Sequence, residues 1–584
     1  MTGIQALRSF AFARPALPLV LAVCWGTGCD RGSLATPVAT VSAPLPRICP
    51  WVDQAKSLGI EFTYRNGSEA DQSTILESLG GGVGWLDFDR DGWLDLVAPG
   101  GGGFATGNQI TGLPAGLYRS VAGQKFVTVG ARAGIESAKL YSHGLAIDDY
   151  DHDGFDDILI TGYGAPQLWR NLGDGTFADV AREAGITDAR WSSSAGWADF
   201  NRDGNLDLYI AHYVNWSFEN HPYCSGPQRG IREICPPRSY DPVPHVVYFG
   251  QGDGTFVDAS STAGLRPDGK GLGVLLCDVE PDGDTDIYVA NDTTDNFLYL
   301  NDGQGHFVEA GVARGVALDD RGIPNGSMGV ELCDYNQDGL PDLWVANYEH
   351  ESFALYRNEG HGNFLHVSQR LGITDLGGLF VGFGTACEDF DSDGDQDFIV
   401  SNGHVIKYPQ IAPRRQLPLL LEFQGNRFER ARFQPASYFE EPHEGRGLAV
   451  ADFDADGDLD VAISHLNEPV ALLRNNSNPP GGWLSLRLIG TRSCRDAVGA
   501  RVELHCGEQR LIRQVTGGGS YLSHHCRNVH FVLPGGKGPR TLIIHWPAGA
   551  VQQLDAASLQ GQITVIEPGA DADPHSPSAS EVGK

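Results

Sequence analysis

Short apolar runs rich in β-branched and aromatic residues alternate with Gly, Asp and Asn turns along most of this chain, and they recur in a fixed order. One run enters an acidic loop, as in Gly84-Trp85-Leu86 and Gly196-Trp197-Ala198. A second leaves it, as in Asp207-Leu208-Tyr209-Ile210 and Asp342-Leu343-Trp344-Val345. A third follows, as in Gln167-Leu168-Trp169-Arg170-Asn171, Phe297-Leu298-Tyr299-Leu300-Asn301 and Leu355-Tyr356-Arg357-Asn358. A Gly-rich turn then leads into a Phe, as in Gly173-Asp174-Gly175-Thr176-Phe177, Gly252-Asp253-Gly254-Thr255-Phe256 and Gly360-His361-Gly362-Asn363-Phe364. Such runs between turn residues are hairpin-linked strands. Four strands per unit, in seven units spaced 50 to 79 residues apart, predict an all-β chain built as a seven-bladed β-propeller. The segment from Trp51 to Ile60 resembles the end of a unit whose beginning is missing, and the seventh unit stops after Val470-Ala471-Leu472-Leu473-Arg474-Asn475. The N-terminal segment is therefore expected to supply the outer strand of the seventh blade, removing an exposed sheet edge.

The loop between the first and second runs carries the chemistry. Its first copy reads Asp87-Phe88-Asp89-Arg90-Asp91-Gly92-Trp93-Leu94-Asp95, and all seven copies follow D-x-[DNE]-x-D-G-x-x-D. Oxygen ligands at alternate positions, a glycine at the sharp turn and a terminal carboxylate are what a hard cation such as calcium requires. The expected side-chain ligands are Asp87, Asp89, Asp91 and Asp95, then Asp149, Asp151, Asp153 and Asp157, then Asp199, Asn201, Asp203 and Asp207. The later loops offer Asp278, Glu280, Asp282 and Asp286, then Asp334, Asn336, Asp338 and Asp342. The last two offer Asp389, Asp391, Asp393 and Asp397, then Asp452, Asp454, Asp456 and Asp460. The seventh position adds a backbone carbonyl. Carboxylates crowded in this way repel one another without metal, so folding should be coupled to calcium binding. At tenfold excess over its dissociation constant each ion would add roughly 1.4 kcal/mol.

The net charge of −32 argues against nucleic acid, because phosphate binding needs a basic face. At the N-terminus, Arg8 and Arg14 precede an apolar stretch from Ala16 to Val23 that is too short to span a membrane. Thr27-Gly28 before Cys29, with a Pro/Ser/Thr/Ala-rich stretch from Asp30 to Pro46 behind it, resembles a bacterial lipoprotein signal and its tether. Residues 1–29 are thus expected to be a signal peptide with Cys29 as the lipidation site, and 30–48 a tether. The departure is Gly26 where a Leu is usual, and an ordinary cleaved secretion signal is the alternative; Cys24, behind Val23, is the poorer anchor. Either route places the protein outside the cytoplasm, lipid-anchored or secreted, where disulfides form. Cys224 and Cys235 flank a long Pro-, Gly- and Arg-rich insertion and are expected to pair. Cys277, Cys333 and Cys387 are expected to be buried free thiols. The state of Cys49 and Cys506 stays open.

Residues 49–476 thus form the expected propeller, closed off by the breaker Ser477-Asn478-Pro479-Pro480-Gly481-Gly482. Beyond it, the alternating Leu484-Ser485-Leu486-Arg487-Leu488 and Ala500-Arg501-Val502-Glu503-Leu504, and the apolar Thr541 to Trp546, predict a small antiparallel β domain over 483–568. A polar tail follows over 569–584, expected to be disordered. Gly490-Thr491-Arg492-Ser493-Cys494-Arg495-Asp496-Ala497-Val498-Gly499-Ala500-Arg501 resembles the signature of the ASPIC/UnbV domain. Gly517-Gly518-Gly519-Ser520-Tyr521-Leu522-Ser523 and His545-Trp546-Pro547-Ala548-Gly549 resemble its later segments. With FG-GAP/VCBS-type repeats ahead of them, the chain resembles bacterial relatives of the cartilage acidic protein family, over about residues 50 to 567. That resemblance implies an extracellular calcium-binding propeller without a defined activity. Cys494 stands where the family has Asn, and His525-Cys526-Arg527 replaces a short polar stretch. This joint departure suggests a Cys494–Cys526 disulfide.

Strand direction places a second set of residues on the face opposite the loops. His143, Asn325 and Arg446 fall near the centre, ringed by His212, Asn291, Asp292, Asn347, His350, Asn402, His404 and His465. Five of these share one phase, five residues past the last loop Asp: His212, Asn291, Asn347, Asn402 and His465. A ring of hydrogen-bonding groups at a propeller mouth is where a ligand site forms; the competing reading is that Asn and His there satisfy strand-end backbone groups. A calcium-stabilised binding or adhesion protein, displaying this surface to a protein or glycan at the cell surface, is the favoured function. An enzyme using His143, His212 and His404 as metal or acid–base groups is the alternative, although no motif fixes a reaction. A cell-envelope scaffold is the third reading.

Overall fold

A computed structural model describes residues 48–477, 481–533 and 540–569, which belong to one compact unit. The expected leader with Cys24 and Cys29, and the tail from Asp571, lie outside the described residues. The molecule is all-β: every described helix is a single turn of three or four residues. None is long and apolar enough to cross a membrane.

Seven sheets, numbered here in chain order, each hold four strands in antiparallel succession, and the fourth gains a fifth strand from the C-terminal region. The second, for example, runs through Tyr141–Asp148, Asp157–Tyr163, Gln167–Asn171 and Phe177–Asp179. The seventh takes its first three strands from Gly445–Ala451, Asp460–His465 and Ala471–Arg474, and its outer strand from Val52–Asp53. The N-terminal segment thus pairs with the last repeat, Val52 opposite Arg474. The first strands are buried on both faces, as in Gly271–Cys277 of the fourth sheet, whose run is apolar throughout. Each first strand stands beside the first strand of the next sheet, and Gly84–Leu86 of the first sheet also stands beside Gly445–Ala451 of the seventh.

Register breaks near the start of six of these first strands. The bulges take in His143, Ser193, Leu272, Met328, Phe383 and Arg446 and re-aim the chain there. Leu272, Met328 and Phe383, from three different sheets, join one apolar cluster with Tyr521 and Leu522. Those two residues belong to the C-terminal part of the chain, which enters the space among the first strands. Gly517–Gly518 adds a strand to the fourth sheet, with Gly518 opposite Leu275. Ser520 pairs with Val330 of the fifth sheet, donates its hydroxyl to Leu448 O of the seventh at 2.8 Å and accepts Thr385 N of the sixth at 3.1 Å. Leu522 accepts Leu145 N of the second sheet and donates its N–H to Ser194 Oγ of the third, both at 3.1 Å. His524 pairs with Gly84 of the first. The eight residues from Gly517 to His524 therefore reach all seven sheets. Gly517 is glycine for a steric reason: a Cβ there would lie 2.1 Å from Trp197 O.

The rest of the C-terminal region forms two further sheets. Gln509–Gln514, Arg501–Cys506, Arg540–His545 and Val551–Asp555 make an antiparallel four-stranded sheet, as expected. The other departs from the antiparallel expectation. Trp483–Ile489 pairs antiparallel with Val529–Val532 but parallel with Gly561–Ile566. The long connection between the parallel strands is what such pairing requires.

Candidate metal loops and the face opposite

The first loop shows how sequence sets local geometry. Asp87 turns its carboxylate back over its own loop, accepting Asp91 N at 3.0 Å and Gly92 N at 3.1 Å. The same pair of bonds recurs from Asp199, Asp278, Asp334, Asp389 and Asp452. In six of the loops the turn uses two left-handed residues. All seven loop glycines have φ between 85° and 100°. The residue two before it is also left-handed in six loops: Arg90, His152, Arg202, Gln337, Ser392 and Ala455. The fourth loop has Pro281 there, whose ring forbids positive φ. That loop therefore takes its turn differently.

The ninth-position carboxylates anchor the loops to the sheets. Asp95, Asp157, Asp207, Asp286, Asp342, Asp397 and Asp460 are all buried. Each accepts, through Oδ1, a backbone N–H from the end of its sheet's third strand at 2.7–3.0 Å. The asparagine ending four of those third strands reaches onward to another sheet's loop. Asn171, Asn301, Asn358 and Asn475 donate Nδ2–H to Phe88 O, Phe200 O, Val279 O and Phe390 O at 2.8–2.9 Å. The loops are thereby tied to neighbouring sheets.

Ligand oxygens converge in four loops. Asp87, Asp89 and Asp95 each bring an oxygen within 4.8 Å of the others, as do Asp149, Asp151 and Asp157, Asp389, Asp391 and Asp397, and Asp452, Asp454 and Asp460. The third, fourth and fifth loops have Asn201, Glu280 and Asn336 at the third position. Buried carboxylate oxygens without a hydrogen-bond partner occur among these groups: Oδ1 of Asp89, Asp149 and Asp454, and Oδ2 of Asp157, Asp342 and Asp397. An orphaned buried carboxylate oxygen is costly unless a cation meets it. Burial pushes the carboxyls of Asp95, Asp207 and Asp342 up to about 8, which marks how little these sites favour charge by themselves. An all-oxygen donor set of this kind suits a hard divalent cation. In three loops a third-strand arginine also leans on the ligands: Arg119 on Asp89 and Asp91, Arg170 on Asp151 and Asp153, and Arg474 on Asp454 and Asp456.

The C-terminal region lies against this loop face. Arg495 meets the Asp149 carboxylate at 3.1 Å and Arg487 that of Asp87 at 3.7 Å. Gln514 bonds both Asp278 N and Asp278 O, at 3.1 and 2.9 Å. His530 lies 3.1 Å from Gly457 O in the seventh loop.

On the opposite face, the expected ring residues are placed close to backbone groups. His143 is fully buried, with Nδ1 2.8 Å from Gly80 O and 3.2 Å from Tyr64 Oη. His212 Nδ1 lies 2.7 Å from Pro244 O, and His465 Nδ1 2.6 Å from Pro469 O. Asn291, Asn347 and Asn402 donate Nδ2–H to Asp295 O, Ser352 O and Leu417 O. Arg446 is fully buried and spends its guanidinium on Ser78 O, Gly403 O, His404 O and Gly445 O, beneath the ring of Phe383 at 4.1 Å. His404 Nε2 faces Glu349 at 3.4 Å, and Asp292 accepts Tyr213 Oη–H at 2.5 Å. Asn325 is buried, and His350, left-handed at φ 65°, donates its N–H to Gly378 O. Burial lowers the imidazoles of His143, His212 and His465 to about 4. Segments 62–82, 213–245 and 404–416 pack against His143, His212 and Arg446 through Tyr64, Ser78 and Gly80, Pro244, and His404. Sequence reasoning missed Glu233, which accepts the N–H groups of Ile234, Lys407 and Tyr408 at 2.8 Å and joins two of those segments. An acid within an Arg-rich insertion was the only signal.

Cys224 and Cys235 are disulfide-bonded, while Cys277, Cys333 and Cys387 are buried free thiols. The suggested Cys494–Cys526 disulfide is absent, and both thiols are free. Cys494 Sγ lies 3.8 Å from Val498 O within its own turn, whereas Cys526 is held by its N–H to Val450 O of the seventh sheet.

Family models match two parts of the chain. The ASPIC and UnbV family model matches residues 490–572, and the FG-GAP-like repeat model matches 149–210, 278–345 and 334–400. The chain thus carries one segment similar to the ASPIC and UnbV family and three similar to FG-GAP-like repeats. Among curated proteins it is similar to cartilage acidic protein 1. It is 25% identical to the Mus musculus protein over 386 residues, covering 65% of this chain and 55% of that protein. It is 26% identical to the Homo sapiens protein over 394 residues, covering 65% and 54%. The chain spans about half the length of the curated relatives it matches. Solved structures give looser likenesses. An Agrocybe aegerita lectin recognising non-reducing terminal N-acetylglucosamine has a TM-score of 0.36 at 15% identity, covering 66% of this chain and 85% of that one. The BP39L lectin from Burkholderia pseudomallei has a TM-score of 0.39 at 10% identity, covering 68% and 96%. Scores this low carry no weight for function.

Proposed function

We propose that the seven sheets are the blades of a β-propeller over residues 49–476, that its acidic loops hold calcium, and that the protein is an extracytoplasmic binding or adhesion protein. Residues 483–568 form the ASPIC/UnbV domain, which occupies the loop face and plugs the centre. The opposite face is then the surface offered to a protein or glycan at the cell surface, with no role in nucleic-acid binding. Residues 1–29 serve as the signal peptide and 30–48 as a tether, with Cys29 as the lipid anchor in a bacterial membrane; plain secretion is the alternative.

The observation that carries the calcium reading is the set of buried loop carboxylate oxygens without hydrogen-bond partners. Calcium supplies the positive charge those oxygens lack, and the backbone bonds to Asp87 and its equivalents hold the ligands in place. A binding role is favoured over an enzyme because the candidate imidazoles are buried and held against backbone carbonyls. Thermal melting in excess calcium and in excess chelator tests the proposal. A rise in Tm of many degrees with calcium, unmatched by magnesium, is expected; equal Tm values in both conditions would refute it.

A further inference from the structure

The chain is strongly acidic, yet one corner of the face opposite the loops is not. The insertion from Pro222 to Tyr240 holds Arg229, Arg232 and Arg238 against the single acid Glu233. That acid is already committed to three backbone N–H groups. None of the three arginines forms an ion pair among the described residues, although most arginines elsewhere in the chain do. Arg229 and Arg238 are exposed. The neighbouring 404–416 segment has no acid of its own, but its Lys407, Arg414 and Arg415 are paired with Asp71 and Glu77, with Glu444 and with Glu468, so the unpaired charge of this corner is that of the insertion's arginines.

The same corner carries exposed aromatic rings. Tyr223 and Tyr408, 62% and 41% exposed, are the only strongly exposed aromatic side chains among the described residues. They lie on the two segments that Glu233 joins. Tyr408 N bonds Glu233 Oε2, and Glu233 pairs across a short hairpin with Cys224, next to Tyr223. The Cys224–Cys235 disulfide staples that hairpin, and Arg232 lies 5.8 Å from the centre of the Tyr223 ring. Arg229 sits in the hairpin's tip, where Gly226 N bonds Ile231 O at 2.8 Å. Aromatic faces beside fixed guanidinium groups suit a ligand with flat apolar faces and regularly spaced anions, because rings stack on the aromatics while arginine pairs with sulfate or carboxylate.

We infer that the stapled hairpin and the 404–416 segment form a docking surface for an anionic polysaccharide, with Tyr223 and Tyr408 stacking on sugar rings and Arg229 and Arg232 meeting its sulfate or carboxylate groups. This deepens the proposed function and rests on its reading of the face opposite the loops as the binding surface. Global electrostatics work against such a ligand, since a net charge of −32 repels a polyanion, so capture reports a local site.

The full protein in saturating calcium is passed over immobilised dextran sulfate, neutral dextran and poly-glutamate. Retention on dextran sulfate alone is expected, with at least tenfold weaker affinity in Arg229→Ala/Arg232→Ala and in Tyr223→Ala/Tyr408→Ala, at unchanged Tm. No retention on dextran sulfate overturns the inference. So does equal retention on poly-glutamate, or retention that survives both double substitutions. Calcium-dependent melting is read on the same samples. A folded, calcium-stabilised protein that ignores dextran sulfate therefore defeats this inference while leaving the broader function standing.

Discussion

At the residue scale, function and packing draw on the same few side chains. Asp91 occupies the fifth loop position, where its backbone N–H is taken by Asp87, its Oδ1 accepts Trp93 N–H, and its Oδ2 is left for a cation or for Arg119. Asp91→Ala should therefore cost about 1 kcal/mol in calcium and much less in excess chelator, read as the difference in Tm. Equal losses in both would mean that Asp91 serves packing alone. The acidic loop positions were legible in the sequence because their spacing is the one that metal chemistry would require. The left-handed fourth position was not, since Arg90, His152, Ser392 and Ala455 share no chemistry, only a backbone angle. The histidines opposite were legible in phase, but the sequence does not carry their burial. Burial holds the imidazoles of His143, His212 and His465 down at about 4. The folded protein then binds fewer protons than the unfolded chain below about pH 6.5, so the stability they permit is present above that pH and is lost as pH falls through about 4. NMR titration in calcium should find these rings neutral down to about pH 4. A midpoint near pH 6.5 would place them in solvent, within reach of a ligand.

At the element scale, the four-run unit was legible because strands and turns have different residue requirements, and the pairing of Val52–Asp53 with the seventh sheet follows from the incomplete first and last units. The bulges in the first strands were not, although they left a trace. The residue five before the first loop Asp is glycine in six units: Gly82, Gly144, Gly273, Gly329, Gly384 and Gly447. A Cβ on Gly329 would lie 1.9 Å from Phe383 O, and one on Gly273 2.1 Å from Met328 O, so neighbouring first strands approach backbone to backbone. The third unit has Ser194 at this position, and its hydroxyl accepts Leu522 N. Gly329→Ala should destabilise the protein by about 2 kcal/mol in calcium or chelator alike, because overpacking and not metal is at stake. Chemical denaturation measures it, and a neutral effect would refute the close approach. The parallel pairing of Trp483–Ile489 with Gly561–Ile566 escaped the sequence because alternation reports which face is buried, not strand direction.

At the scale of the whole molecule, the C-terminal region is a structural part of the repeat array. Ser520 and Leu522, both left-handed, and Tyr521 between them sit where the first strands meet. Tyr521 is fully buried, donates Oη–H to Leu79 O at 3.1 Å and lies edge-on to Phe383. Tyr521→Ala should cost about 3 kcal/mol and lower the melting of the sheets and the C-terminal region together. Two separate transitions would instead show that the two parts fold independently. Nothing in the repeats announced this plug; its Gly-Gly-Gly-Ser-Tyr-Leu-Ser motif was visible, but its destination is a long-range contact that no local pattern encodes. Arg487, Arg495 and Gln514 tie the C-terminal region to the acidic loops, so metal bound there, as proposed, would be coupled to its docking. The acidic loops are proposed to be calcium sites. The direct test is elemental analysis of the protein after exhaustive dialysis against dilute calcium, with a parallel sample dialysed against chelator. About seven calcium ions per chain are expected, falling to near zero with chelator and accompanied by no transition metal. One ion or none in a folded sample would contradict it.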